Sequence, residues 1–123
     1  MIRQCFVLSC ILAQLAVFAA AKRVAPKPVP PVIANGIRYT VDRDGPDQYV
    51  VAQDPATDQV LWKVRVFHTR IDPFKEEDNQ WVFIDELKLM NNTLFVKDEK
   101  SRCYSIDLST HAVKKQPCDG SVP

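Results

Sequence analysis

The chain has no surplus of charge of either sign: 16 Lys and Arg stand against 15 Asp and Glu, a formal net charge of +1. Nucleic-acid binding draws on a row of cations that neutralises phosphates, so nucleic acid is not an expected partner. Histidine is nearly absent. The two present, His68 and His111, lie apart, with no H-x-x-x-H pattern and no cysteine pair at zinc-ligand spacing; both read as exposed bystanders, and no metal is expected. A G-x-S-x-G elbow is missing too, and Cys103 as a nucleophile would need a basic partner that the sequence cannot place. No catalytic residue and no cofactor is therefore expected, and the chain reads as non-enzymatic. No segment shows helical periodicity, which removes helix bundles and alternating α/β folds from consideration.

What is present begins with an export signal. Met1 to Gln4 carries one cation, Arg3; Cys5 to Phe18 is apolar apart from Ser9 and Gln14; and Ala19 and Ala21 form an A-x-A cleavage pattern. The apolar stretch is short of the about 20 residues that cross a bilayer. Residues 1–21 are read as a signal peptide, and the protein as secreted or periplasmic. An uncleaved anchor is the competing reading, and only then is a membrane a partner; acylation at Cys10 is weaker, since Val7-Leu8-Ser9 leaves almost no apolar run before it. Cys5 and Cys10 depart with the signal, which leaves Cys103 and Cys118 in an oxidising compartment. A disulfide between them is the leading reading, worth about 3 kcal/mol by chain entropy; two free buried thiols or one reactive thiolate are the alternatives.

Residues 22–32 form a Pro-rich linker that forbids a helix and favours extended chain, a spacer rather than a ligand for a proline-reading groove. The β domain is expected over 33–118, as two units at about 36–67 and 81–118, followed by a tail at 119–123. Ile37 to Val41 and Gln48 to Gln53 read as strands joined by Asp42 to Asp47. Val60 to Phe67 alternates so that Trp62, Val64 and Val66 share one face and Lys63 and Arg65 the other. Residues 68–80 are a polar loop or a single helical turn. Trp81 to Met90, Thr93 to Lys97, Arg102 to Asp107 and Ala112 to Lys115 read as further strands.

A repeat emerges from this pattern. Residues 52–60 overlay residues 105–113 at a constant offset of 53, matching Asp54 to Asp107, Thr57 to Thr110 and Val60 to Val113. Asp can accept hydrogen bonds from turn amides, and Thr can do the same two or three residues later. These residues resemble a known family: Ala52-x-Asp54-x-x-Thr57-x-x-x-x-Trp62 is similar to the blade motif of quinoprotein-type (PQQ-like) β-propellers, and Leu94-Phe95-Val96 with Tyr104-Ser105-Ile106-Asp107-x-x-Thr110 resembles a second copy. The resemblance spans about residues 35–115. It implies that each copy is a four-stranded antiparallel sheet and that the Trp docks between neighbouring blades. The Gly that the family places after the Thr is Asp58 or His111 here, and Lys115 stands where the second docking Trp would be. Two blades cannot close a ring of about four to eight. The expected fold is thus all-β, two antiparallel blade-like units forming a small sandwich or barrel, with assembly of several chains as the alternative and with Trp62 and Trp81 packing in the core or between units. The family's quinone sits at the centre of a complete ring and is not carried over.

Three further motifs have chemical readings. Asp42-x-Asp44-Gly45-x-Asp47 gathers carboxylates but lacks the distal Glu of a calcium loop, and reads as a hairpin turn. Glu76-Glu77-Asp78 reads as a solvated loop. Asn91-Asn92-Thr93 fits an N-glycosylation acceptor, relevant in a eukaryotic host. Taken together, the sequence points to an exported, non-enzymatic β module that acts through its surface on another protein. A structural subunit of an envelope assembly is one alternative; a small secreted hydrolase or enzyme inhibitor using the 68–80 loop is the other.

Overall fold

The structure, a computed structural model, describes residues 25–118. The expected signal segment, the first residues of the Pro-rich linker and the tail at 119–123 lie outside the described residues. Eight strands follow in order: β1 (Val32–Ala34), β2 (Ile37–Asp44), β3 (Asp47–Gln53), β4 (Val60–His68), β5 (Ile84–Met90), β6 (Thr93–Asp98), β7 (Cys103–Asp107) and β8 (Val113–Gln116). They form two four-stranded sheets, β1-β2-β3-β4 and β5-β6-β7-β8, with each strand antiparallel to the next. The fold is all-β, in two propeller-blade-like units.

Turn chemistry sets the strand ends. Ala34 pairs with Ile37 across Asn35-Gly36, and both turn residues have positive φ, 54° and 75°. A two-residue turn of that hand matches the twist of the strands it joins, and Asn-Gly tolerates it best. This hairpin extends the domain backwards: Val32, expected in the linker, pairs with Tyr39, and Val29 packs against the core. The β2–β3 turn is tighter than the six residues expected, because Asp44 pairs directly with Asp47 across Gly45-Pro46. Gly45 has φ +59°, and a Cβ there would lie 3.5 Å from the Trp81 ring. The turn thus favours glycine for its backbone, while the indole that covers it would meet a Cβ only at ordinary van der Waals distance. In the second unit, β5 starts at Ile84 rather than Trp81. Phe83 leaves the strand direction to exchange hydrogen bonds with Glu99, receiving one from the Glu99 amide at 3.0 Å and donating its own amide to Oε1 at 3.1 Å. The loop before it contains one 3-10 turn, Asp78–Gln80.

Alternation then builds the core. In β6 the inward residues Leu94, Val96 and Asp98 are all buried, with the intervening ones partly exposed; β3 sends Gln48, Val50 and Ala52 inward. These faces meet, so that Tyr39, Val50, Ala52 and Val66 of the first sheet form one cluster with Ile84, Leu87, Leu94, Val96, Tyr104 and Ile106 of the second. The sheets share no hydrogen-bonded strand pair and are joined through this core, as in a sandwich rather than a barrel. Trp62, Val64 and Val66 face inward as the alternation predicts, with Lys63 and Arg65 exposed.

A polar clamp fixes the second sheet on the first. Gln48, with no exposed surface, donates to the Gly45 and Asp47 carbonyls at 3.3 and 3.1 Å and accepts from the Ile84 amide at 3.1 Å. Arg43 donates to the Ile84 carbonyl at 3.0 Å and to the Lys27 carbonyl at 2.8 Å, with its guanidinium 5.3 Å from the Phe83 ring centre. Both polar groups of Ile84, the first residue of β5, are therefore held by side chains of the first unit. Left unpaired in a dry interface, each would cost about 1–3 kcal/mol.

The outward faces are polar. On the first sheet Lys63 pairs with Asp42 at 2.7 Å and lies over the Tyr49 ring, while Arg65 pairs with Asp47 at 3.3 Å; on the second, Lys97 pairs with Glu86 at 3.5 Å. Such exposed pairs contribute little stability; on the edge strands of the first sheet Ile33, Val60 and Leu61 are exposed as well. Cys103 and Cys118 form a disulfide with Cα atoms 5.3 Å apart. It closes the chain just beyond β8, a four-residue edge strand that pairs only with β7. Reduction is expected to lower unfolding free energy by about 3 kcal/mol, read from urea transitions with and without reductant; an unchanged midpoint would mean that β8 holds without its staple.

Candidate functional site

The repeated turns behave as one device used twice. Between β3 and β4, Asp54 accepts the Ala56 amide at 2.9 Å and Thr57 Oγ1 accepts the Gln59 amide at 3.3 Å. Between β7 and β8, Asp107 accepts the Ser109 amide at 2.8 Å and Thr110 Oγ1 accepts the Ala112 amide at 3.2 Å. The backbone closes identically, from Asp58 to the Asp54 carbonyl and from His111 to the Asp107 carbonyl. Asp58 and His111 have φ of +62° and +65°. That is the left-handed region where glycine costs nothing and a side chain about 1–2 kcal/mol, which accounts for glycine at this position in the blade motif.

His111 is no bystander. Its ring stacks on Trp62 with centres 4.3 Å apart, so the Trp of the first unit docks on the turn of the second. The other Trp also bridges units, through its contact with Gly45. The first copy carries a bulge at Gln53, and pairing therefore makes Lys114 the counterpart of Trp62: Ala52 faces Trp62, and Ser105 faces Lys114. Lys114 lies on the outward face, where a third blade would dock. Lys115, the counterpart at constant sequence offset, pairs instead with Tyr104 and turns toward the first sheet.

There it joins a groove between the two units, about 660 Å³ in volume. One wall is the end of β4 and the residues after it, Phe67 to Arg70, with Asn79, Gln80 and Val82 where the chain returns toward β5; the other is Lys100 and Arg102 of the β6–β7 turn with Tyr104 and Lys115 of the second sheet. Phe67 and Tyr104 stack at 5.2 Å across it. The groove is lined by five basic side chains, counting His68, and by no carboxylate. Two of these have partners: His68 Nδ1 lies 2.7 Å from Asp47, and Arg102 Nε donates to Asp98 at 2.8 Å. Arg70, Lys100 and Lys115 make no ion pair among the described residues and are exposed.

Asp98 anchors the second wall from beneath. Its carboxylate has no exposed surface and receives the amides of Lys100 and Arg102, both at 2.9 Å, the Arg102 guanidinium, and the Tyr104 hydroxyl at 3.2 Å. A buried charge survives because every lone pair is used. The loop wall is held by Gln80, whose side chain accepts the Asp72 amide at 2.7 Å and donates to the carbonyls of Asp72, Lys75 and Glu76. Within this pinned loop Phe74 stands 93% exposed.

The other motifs do not converge on this groove. Asp42 and Asp47 are engaged by Lys63, Arg65 and His68, and among the described residues no cluster of three or more metal-ligating side chains occurs. Glu76 accepts from Asn79 at 3.2 Å. Asn91 is exposed in the β5–β6 turn with φ +56°. The groove itself was missed by reading the sequence, because its cations lie between positions 68 and 115 with no local cluster to mark them.

Against known proteins, the class is defined first by fold: antiparallel four-stranded sheets, packed face to face as propeller-like blades. Among solved structures the chain is similar to BamB from Moraxella catarrhalis, a β-propeller, with a TM-score of 0.53 at 19% identity. The likeness covers 73% of this chain and 27% of that one, so the chain spans about a quarter of the BamB length. No protein-family model matches the chain, and no curated protein matches it either.

His111→Gly should be more stable than His111→Ala by about 1 kcal/mol, since both lose the stacking and only glycine relieves the positive φ; equal stabilities by urea unfolding would contradict the strain. Burial, reinforced by the Asp98 charge and opposed by Arg102, pushes the Tyr104 hydroxyl up to about 12 from an ordinary 10.0. The fold holds the neutral phenol, so this stabilisation is complete below pH 10 and disappears as pH rises through 12. Tyr104→Phe should flatten the alkaline decline in stability, leaving the smaller part due to Tyr39, which burial also raises; an identical decline in both proteins would refute the assignment.

Proposed function

We propose that this is an exported, non-enzymatic binding module that engages another protein through the groove between its two units and the adjoining 68–80 loop. The single observation that carries the reading is the groove itself, a preformed concavity with three cations, Arg70, Lys100 and Lys115, that make no ion pair among the described residues. Its walls are buttressed from within, by Asp98 on one side and Gln80 on the other, which is the preorganisation that lowers the cost of binding. The exposed Phe74 adds an aromatic side chain of the kind that dominates interface energies. Of the groove's titratable groups His68 is tied to Asp47 and Arg102 to Asp98, and its lining includes no serine or cysteine. Export rests on the N-terminal segment, with its single cation, apolar run and A-x-A pattern.

Lys114 in place of a second docking Trp favours a self-contained pair of blades over a ring completed by several chains. The test is capture from an extract of exported proteins on the immobilised full chain. The double variant Lys100→Glu/Lys115→Glu and the single variant Phe74→Ala should each weaken capture about tenfold, because an interface anchor or two charge pairs contribute about 1.4 kcal/mol or more. All three side chains are exposed, so thermal midpoints should stay within a few degrees. Capture unchanged in both variants would move the binding surface elsewhere.

A further inference from the structure

We infer that the groove receives an extended acidic segment of a partner protein, whose carboxylates pair with Arg70, Lys100 and Lys115; this rests on the binding reading above and specifies the partner's chemistry. Charge asymmetry carries it. The chain as a whole is almost neutral, with 16 Lys and Arg against 15 Asp and Glu, yet the groove is lined by basic groups and no acid. Two carboxylates that pair with groove residues are engaged: Asp98 is buried under Arg102, and Asp47 is held by Arg65 and His68. Three cations facing one another across a concave surface repel, and that repulsion is relieved only by solvent, salt or an anionic guest.

The form of the guest follows from the walls. The groove runs between two sheets and is open to solvent along its exposed basic rim, which suits a chain passing through rather than an enclosed small molecule. Its lining includes the Phe67–Tyr104 stack, whose rings lie 5.2 Å apart. A nucleic acid would meet only three free cations, with the aromatic pair stacked on itself rather than offered as a platform for bases. The acidic peptide is therefore the better fit.

The experiment is fluorescence anisotropy of the full exported chain with three labelled probes: a short peptide alternating Glu with apolar residues, the same peptide with Gln for Glu, and a single-stranded oligonucleotide of equal charge. The Glu peptide should bind saturably, at least tenfold more tightly than the Gln peptide, and should weaken as salt rises. Lys100→Glu/Lys115→Glu should reduce that affinity about tenfold or more, and Arg70→Glu should do so in part, with unchanged thermal midpoints. Equal binding of Glu and Gln peptides, no binding of either, or tighter binding of the oligonucleotide overturns the inference. If that happens while partner capture still depends on Lys100 and Lys115, the groove remains a protein-binding site of different chemistry; if capture is also insensitive, both readings fall.

Discussion

The peptide group of Ile84 is the point on which the structure turns. Its amide is taken by Gln48 and its carbonyl by Arg43, two side chains that the first sheet sends across the interface. Apolar packing alone would let two small sheets slide, because hydrophobic contact is non-directional. The clamp removes that freedom: each donor or acceptor has one partner position, and any shift strands a buried polar group. Everything the second unit presents, including the wall bearing Lys100, Arg102 and Lys115, takes its position from this register.

A second level of order comes from duplicating a turn and then changing what surrounds it. Asp54 with Thr57 and Asp107 with Thr110 close two hairpins by the same hydrogen bonds, and in both the following residue accepts a left-handed backbone. In one copy that residue is Asp58, which pairs with Arg38 on the surface. In the other it is His111, which receives Trp62. The same strained position thus serves solvent in one unit and the interface in the other. The bulge at Gln53 completes the asymmetry, since it brings Trp62 against the second unit while Lys114 takes the corresponding outward place.

Much of the fold is legible in the chain because strands and turns are local. Alternation in Trp62 to Val66, the Asp-Thr turns and the Asn-Gly and Asn-Asn pairs each announce themselves within a few residues. Strand β1 is hard to read although Asn35-Gly36 signals it, because three residues after a run of prolines do not look like a strand without their partner. The start of β5 is obscured for the opposite reason: Trp81 to Phe83 is apolar enough to extend it, but Phe83 pairs with Glu99 instead. The groove was not legible at all. His68, Arg70, Lys100, Arg102 and Lys115 meet only because two sheets pack, and His111 passes for an ordinary turn residue until Trp62 is seen against it.

The two sheets are each built from one continuous stretch of chain, residues 32–68 and 84–116, with no strand exchanged between them. Every ladder therefore closes a short loop, and such contacts form early and quickly compared with pairings between distant segments. The contacts that are distant in sequence are the shared core and the clamp on Ile84. The interface between the two sheets, rather than either sheet, therefore couples the opening of the whole molecule.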